Sequence, residues 1–161
     1  MAGKIEVIVC DGLDKIPPCD VIVIAGMGGA GICGILRGGE RIARRAGSII
    51  LQPMTRVHEL RRFLYANNWE IVSETLAKEE RKLYNIMVVR HRTAPLPADE
   101  IYYHIGEKLL ESGSEYLGEY LTGKINALDT AIHGMRKGGG GDELERAAAL
   151  RGEYARLLEG V

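Results

Sequence analysis

Long apolar runs are missing from this 161-residue chain: the purest, Val21 to Ala25, falls far short of the ~20 residues a bilayer requires. No membrane partner is therefore expected. The opening Met1-Ala2-Gly3-Lys4 has no apolar stretch ahead of a small-residue cleavage site, so no secretory leader is expected either. Cysteine is scarce, at three residues with no close pair (Cys10, Cys19, Cys33), which argues against a disulfide framework and fits a reduced, cytoplasmic setting. A metal site needs clustered ligands, and His58, His91, His104 and His133 are scattered; no metal is expected.

What is present is enough for a compact domain with an appendage, and the core is large enough to need neither metal nor disulfide. Net charge is only −1, yet it is segregated. Between Arg37 and Arg92 there are twelve Lys or Arg against six Asp or Glu; the remainder carries nine against sixteen. A basic middle segment suits a polyanion such as RNA, although exposed helix faces rich in arginine would give the same count.

Ile5 to Cys10 is β-branched and ends in Asp11-Gly12, the pattern of a buried strand and a turn. Val21 to Ala25 has no polar face, as in a strand covered on both sides. A helix should follow, with Ile32, Ile35, Leu36 and Ile42 on one side and Gly38-Gly39 weakening it. Ser48 to Leu51 is a further strand stopped by Pro53. Val57, Leu60, Phe63 and Leu64 mark an amphipathic helix ended by Asn67-Asn68. Trp69 to Ala77 and Tyr84 to Arg90 read as an antiparallel hairpin around a charged turn, Lys78 to Lys82.

The first unit, residues 1–93, is thus an α/β layered sheet, closed by Thr93-Ala94-Pro95-Leu96-Pro97. Residues 98–161 become helical: Ile101 to Leu110, then Leu117, Leu121, Ile125, Leu128, Ile132 and Met135. A break at Gly138 to Gly141 precedes Leu144, Ala147, Leu150, Tyr154, Leu157 and Val161, so an antiparallel, coiled-coil-like helical hairpin is expected.

Gly26-Met27-Gly28-Gly29-Ala30-Gly31 matches G-x-G-x-x-G between strand and helix, where glycines let backbone approach a ligand closely. An NAD or FAD site would need an acidic residue at the end of the next strand, and that strand ends in Gln52-Pro53. A P-loop fails because no Gly-Lys-Ser or Gly-Lys-Thr follows. A tight turn without ligand stays open, as does the closing half of a class I methyltransferase sheet, which ends in an antiparallel hairpin.

Asp11-Gly12-Leu13, Ile24-Ala25-Gly26-Met27-Gly28-Gly29, Ile50-Leu51-Gln52-Pro53, Leu60-Arg61 with Asn68-Trp69, then Glu74, Glu79 and Tyr84 occur in this order. The set resembles the TrmK family of bacterial S-adenosylmethionine-dependent tRNA (adenine-22 N1)-methyltransferases, from about Ile5 to Arg92 and more loosely through the helical tail. The resemblance implies a partial class I, Rossmann-like methyltransferase sheet with S-adenosyl-L-methionine as cofactor and tRNA as partner. It places Asp11 to accept from the adenine amino group of the cofactor, with Gly12 and Leu13 as further cofactor-binding residues. It puts Ala25, Gly26, Met27, Gly28 and Gly29 where cofactor and target base meet, and Gln52 and Pro53 beside that base. Two departures stand out. Met54 occupies a position where the family pattern usually has Asn. The family also begins with two further strands bearing a glycine-containing cofactor turn and an acidic ribose ligand, and neither is found ahead of Ile5, so an incomplete cofactor site is expected.

N1 of adenine carries a free lone pair at neutral pH, so no general base is required and no catalytic residue is assigned. Glu74 and Glu79-Glu80 read as solvated strand ends rather than catalytic carboxylates. Arg56, Arg61 and Arg62 are candidates for phosphate contacts, with Arg41, Arg44 and Arg45 as a second cluster. Tyr84 is a candidate against the substrate, though an aromatic opening a strand is more often core. The tail is acidic, with seven basic against twelve acidic residues from Ala98 onward, so any RNA contact there falls to Lys124, Arg136 and Lys137. Without intervening strands, the Ile5 and Val21 strands should pair directly or leave an edge for self-association. A catalytically inactive RNA-binding or oligomerising module remains the alternative to an enzyme.

Overall fold

The computed structural model describes residues 5–94, 98–138 and 141–161. Four strands, β1 (Val21–Gly28), β2 (Ser48–Thr55), β3 (Trp69–Glu79) and β4 (Lys82–His91), form one sheet in the order β1-β2-β4-β3. β1 and β2 run parallel, and the other two pairings are antiparallel. The expected crossover unit and closing hairpin are both present.

Helix α1 (Gly29–Gly38) connects β1 to β2 through a single turn, α2 (Glu40–Ala43), and α3 (Val57–Ala66) connects β2 to β3. The break between α1 and α2 falls at Gly38-Gly39, and position 39 has no room for a side chain, since a Cβ there would overlap Leu13. α1 and α3 pack on each other and on one face of the sheet. Ile32, Leu36, Leu60 and Leu64 there meet Ile22, Ile24, Ile49, Leu51, Met87 and Val89. Val21 and Val23 alternate to the opposite face and are 52% and 64% exposed.

Ile5 to Cys10 is not a strand. It lies unpaired with Ile5, Val7 and Val9 all more than 80% exposed, and it does not pair with β1. A strand needs a neighbour to take its backbone groups, and no described residue supplies one. β2 continues through Pro53, which sits opposite Met27 where the ladder is irregular, so the missing N–H breaks no regular bond. The hairpin zips further than its charges suggest: Lys78 pairs with Leu83 and Glu79 with Lys82, leaving Glu80 at φ 52 to turn the chain.

The helical part begins with two short helices, α4 (Glu100–His104) and α5 (Glu107–Leu110), rather than one. α6 (Leu117–Gly138) and α7 (Gly141–Glu159) then pack together, bridged by Arg151 and Asp129. Residues 95–97 and 139–140, within the expected boundary and glycine loop, lie outside the described residues. Leu76, from β3, joins Ile105, Leu109, Leu117, Tyr120 and Leu121 in a second core. No described helix is long and apolar enough to cross a membrane.

Candidate functional site

The carboxyl ends of the parallel strands β1 and β2 form an irregular rim. Gly26 takes φ 74, and the pairing shifts between Ala25 and Met27. The Gly26 N–H, released from the ladder, donates instead to Gln52 Oε1 at 2.8 Å. Gln52 Nε2 turns to Met54 Sδ at 3.3 Å. Beyond the strand, Arg56 is left-handed at φ 54 and opens α3. The start of α1 packs straight onto that turn: a Cβ on Gly29 would lie 2.5 Å from the Arg56 carbonyl oxygen. Glycine is therefore required here by close approach of backbone to backbone.

Below the rim, Asp11, Gly12, Leu13 and Asp14 close a cavity of about 580 Å³ against Met27, Gly31, Gly34, Ile35, Gly38 and Gly39. Three glycines of α1 thus supply a wall without side chains. Met27 belongs to both cavity and rim, while Ala25, Gly26, Gly28 and Gly29 lie on the rim alone. The turn after Ile5–Cys10 reaches this place although the strand before it does not form. Pro53 is buried, and Gln52 is half-buried with its amide already engaged.

Arg61 is not available to phosphate. It is wholly buried, donating to both oxygens of Glu74. Glu74 likewise is no solvated strand end, because that ion pair and Asn85 enclose it. Arg56 and Arg62 remain exposed, each facing a carboxylate: Glu59 and Glu100 respectively. Arg41, Arg44 and Arg45 stand at the opposite end of the strands, about 25 Å from the rim by strand length, next to the ends of β2 and β4. The two basic clusters do not form one patch. Tyr84 is part-exposed on the face away from α1 and α3, donating to Glu79 at 3.2 Å; it belongs neither to the core nor to the Gly26–Gln52 contact. The described residues contain no cluster of three metal-ligating side chains.

Scattered histidines concealed one contact. His58, near the start of α3, stacks on His104 of α4 with ring centroids 5.7 Å apart. Both line a cleft of about 890 Å³ between α3–α4 and the α6–α7 hairpin. Burial lowers the pKa of each, and His58 lowers that of His104 further. Forty-six positions separate the pair, so no local spacing could reveal it.

A parallel strand pair closed by an antiparallel hairpin, with glycine turns at the carboxyl rim, defines the closing half of a Rossmann-like sheet of the class I methyltransferase type. Within that class the chain belongs to the TrmK family, tRNA (adenine(22)-N(1))-methyltransferase, whose profile matches residues 1–151. A Mycoplasma genitalium protein, provisionally named a tRNA methyltransferase, is 33% identical over 112 residues, 67% of this chain and 50% of its own length. The chain therefore spans about half of that curated relative. A Streptococcus agalactiae protein of the NADB-Rossmann superfamily superposes with a TM-score of 0.84 at 27% identity, covering 95% of this chain and 67% of that one. Streptococcus pneumoniae Sp1610, solved with S-adenosyl-L-methionine, gives 0.82 at 26% identity over 96% and 69%.

Proposed function

We propose that the chain carries the target-base side of an S-adenosylmethionine-dependent tRNA (adenine-22 N1)-methyltransferase, with residues 1–93 as the sheet unit and 98–161 as the helical unit. One observation carries the reading: Gln52 holds the Gly26 N–H in a turn of irregular strand pairing, at the rim where open α/β sheets collect ligands. Gln52-Pro53 and the Ala25–Gly29 turn are the two segments that the family resemblance assigns to this step, and they are hydrogen-bonded to one another. A second feature supports a cofactor of the kind bound by the related Sp1610. The glycine-walled cavity lies within the ~300–1,000 Å³ typical of small-ligand sites, and Asp11 offers an acceptor at its edge.

When bound, S-adenosylmethionine would supply the methyl group on a sulfonium sulfur that departs as a neutral thioether. The chain's residues orient and enclose. Met27 and Met54 are exposed side chains at the rim, an adaptable apolar border for a flat base. Arg56, exposed beside them, suits a backbone phosphate. N1 lies on the pairing edge of adenine, so the base must leave its stack or be unpaired already. No proton has to be removed before attack, which accords with a rim built of glycine, glutamine, proline and methionine. A tRNA substrate implies work in the cytoplasm.

Calorimetric titration with S-adenosylmethionine, followed by transfer of labelled methyl to a tRNA with adenine at position 22, tests the proposal. Saturable heat, and label lost when that adenine becomes guanine, are expected. Absence of both heat and transfer at millimolar cofactor would overturn it for these 161 residues. A second reading, a non-catalytic RNA-binding or oligomerising module, is favoured by the exposed Ile5, Val7 and Val9. It predicts tRNA retention or self-association without cofactor heat.

A further inference from the structure

The buried polar residues Arg61, Glu74 and Asn85 form one network. From α3, Arg61 donates through Nε to Glu74 Oε2 at 3.2 Å and through Nη2 to Oε1 at 2.6 Å. Asn85 of β4 donates to the same Oε1 at 3.0 Å. Arg61 Nη1 then reaches across to the carbonyls of Tyr103 and His104 at 3.1 and 2.9 Å, closing the end of α4. Gly106 seals the arrangement, since any side chain there would overlap the Glu74 carboxylate. Tyr120 of α6 lies beside the guanidinium and adds to the polar surroundings that raise its pKa. Burial alone would lower the pKa of Arg61, but the charge and hydrogen bonds of Glu74 more than offset it and keep the guanidinium charged.

This is an unusual way to attach a helical segment to a sheet. Apolar contacts are non-directional and let packed elements slide, whereas a planar guanidinium with four fixed acceptors sets an angle. Nor is stability a sufficient reason, because well-packed apolar residues often serve as well as a buried ion pair or better. The chain has such residues next to the network in Leu76, Ile105 and Leu109.

We propose that Arg61 is a positioning residue: with Glu74, Asn85 and Gly106 it fixes the angle between the α4–α7 helices and the rim at Gly26 and Gln52. Hairpin and rim then meet RNA as one rigid surface. Helix α3 is the lever, since it starts at the rim turn at Arg56 and carries Arg61 one turn further on. The RNA part of this inference rests on the tRNA-methyltransferase reading; the angle does not.

The test replaces the network by apolar residues of similar size, Arg61→Met with Glu74→Leu and Asn85→Val, and separately makes Arg61→Lys. The triple variant is expected to fold with a melting midpoint near that of the native chain. Small-angle scattering should nevertheless report a broadened range of hairpin orientations, and tRNA affinity should fall at least tenfold. Arg61→Lys keeps the charge without the planar fork and should show the same broadening in part; if the triple variant does not fold, this variant decides. A folded variant whose scattering profile matches the native one overturns the joint. A native chain that binds no tRNA at all would overturn the RNA reading, while the scattering comparison between native chain and variants still decides the angle.

Discussion

Gln52 illustrates how a single side chain can take over a duty that strand pairing leaves undone. Gly26 breaks register with β2, and its N–H would be unpaired at the rim without the Gln52 carbonyl oxygen. Replacing Gln52 with Leu should lower stability by about 1 kcal/mol, the usual net value of one hydrogen bond, read from denaturant melts. Cofactor binding should weaken by a larger factor, because the turn would be free to move. If calorimetry shows native affinity in a folded Gln52→Leu variant, the strap has no part in the site. His58 and His104 make a different kind of prediction. Their folded pKa values lie below the ordinary 6.5, so the unfolded chain binds protons more readily than the folded one. Stability should therefore be full above about pH 6.5 and fall as pH drops through and below that value. Glu59 and Glu100 facing the pair oppose the shift, while Arg62 and Lys124 reinforce it. In the double variant His58→Gln, His104→Gln, thermal melts between pH 7 and 5 should lose part of their slope.

The contact between α1 and the β2–α3 turn shows why an element's first residue can matter more than its interior. Gly29 is buried against the Thr55 and Arg56 carbonyls, with no room for a methyl group. Gly29→Ala should cost about 1–3 kcal/mol through this overlap. Gly34→Ala, in open space on the same helix, should be neutral or slightly stabilising in the same urea titration, because alanine favours helix. The hairpin offers the converse lesson. Glu79 and Lys82 read as turn residues by charge, yet they pair, because the ladder's cooperativity outweighs their weak strand preference.

At the scale of the whole fold, five of the exposed apolar residues among those described lie where the sheet is open. β1 is an edge strand with Val21 and Val23 facing outward, and Ile5, Val7 and Val9 stand unpaired. Open edges and apolar strips recruit other strands. The 161-residue chain should associate with rising concentration, and sedimentation should show that Val7→Lys with Val23→Lys reduces it. A chain that stays monomeric over a hundredfold range of concentration would show these surfaces to be inert.

Much of this architecture was legible beforehand because it depends on local chemistry. Periodicity marked β1, β2, α3 and both long helices, glycine pairs marked the break after α1, and the motif order pointed to the family that the profile match bears out. Local patterns could not show whether Ile5 to Cys10 becomes a strand, since pairing requires a partner elsewhere. Nor could they separate Arg61 from Arg56 and Arg62. All three are arginines at a helix start, and only the fold brings Glu74, Asn85 and the Tyr103 and His104 carbonyls around one of them. Sequence records which groups are available. Burial and the meeting of distant segments decide which stay free to act, because a guanidinium saturated by buried partners has nothing left to offer a phosphate.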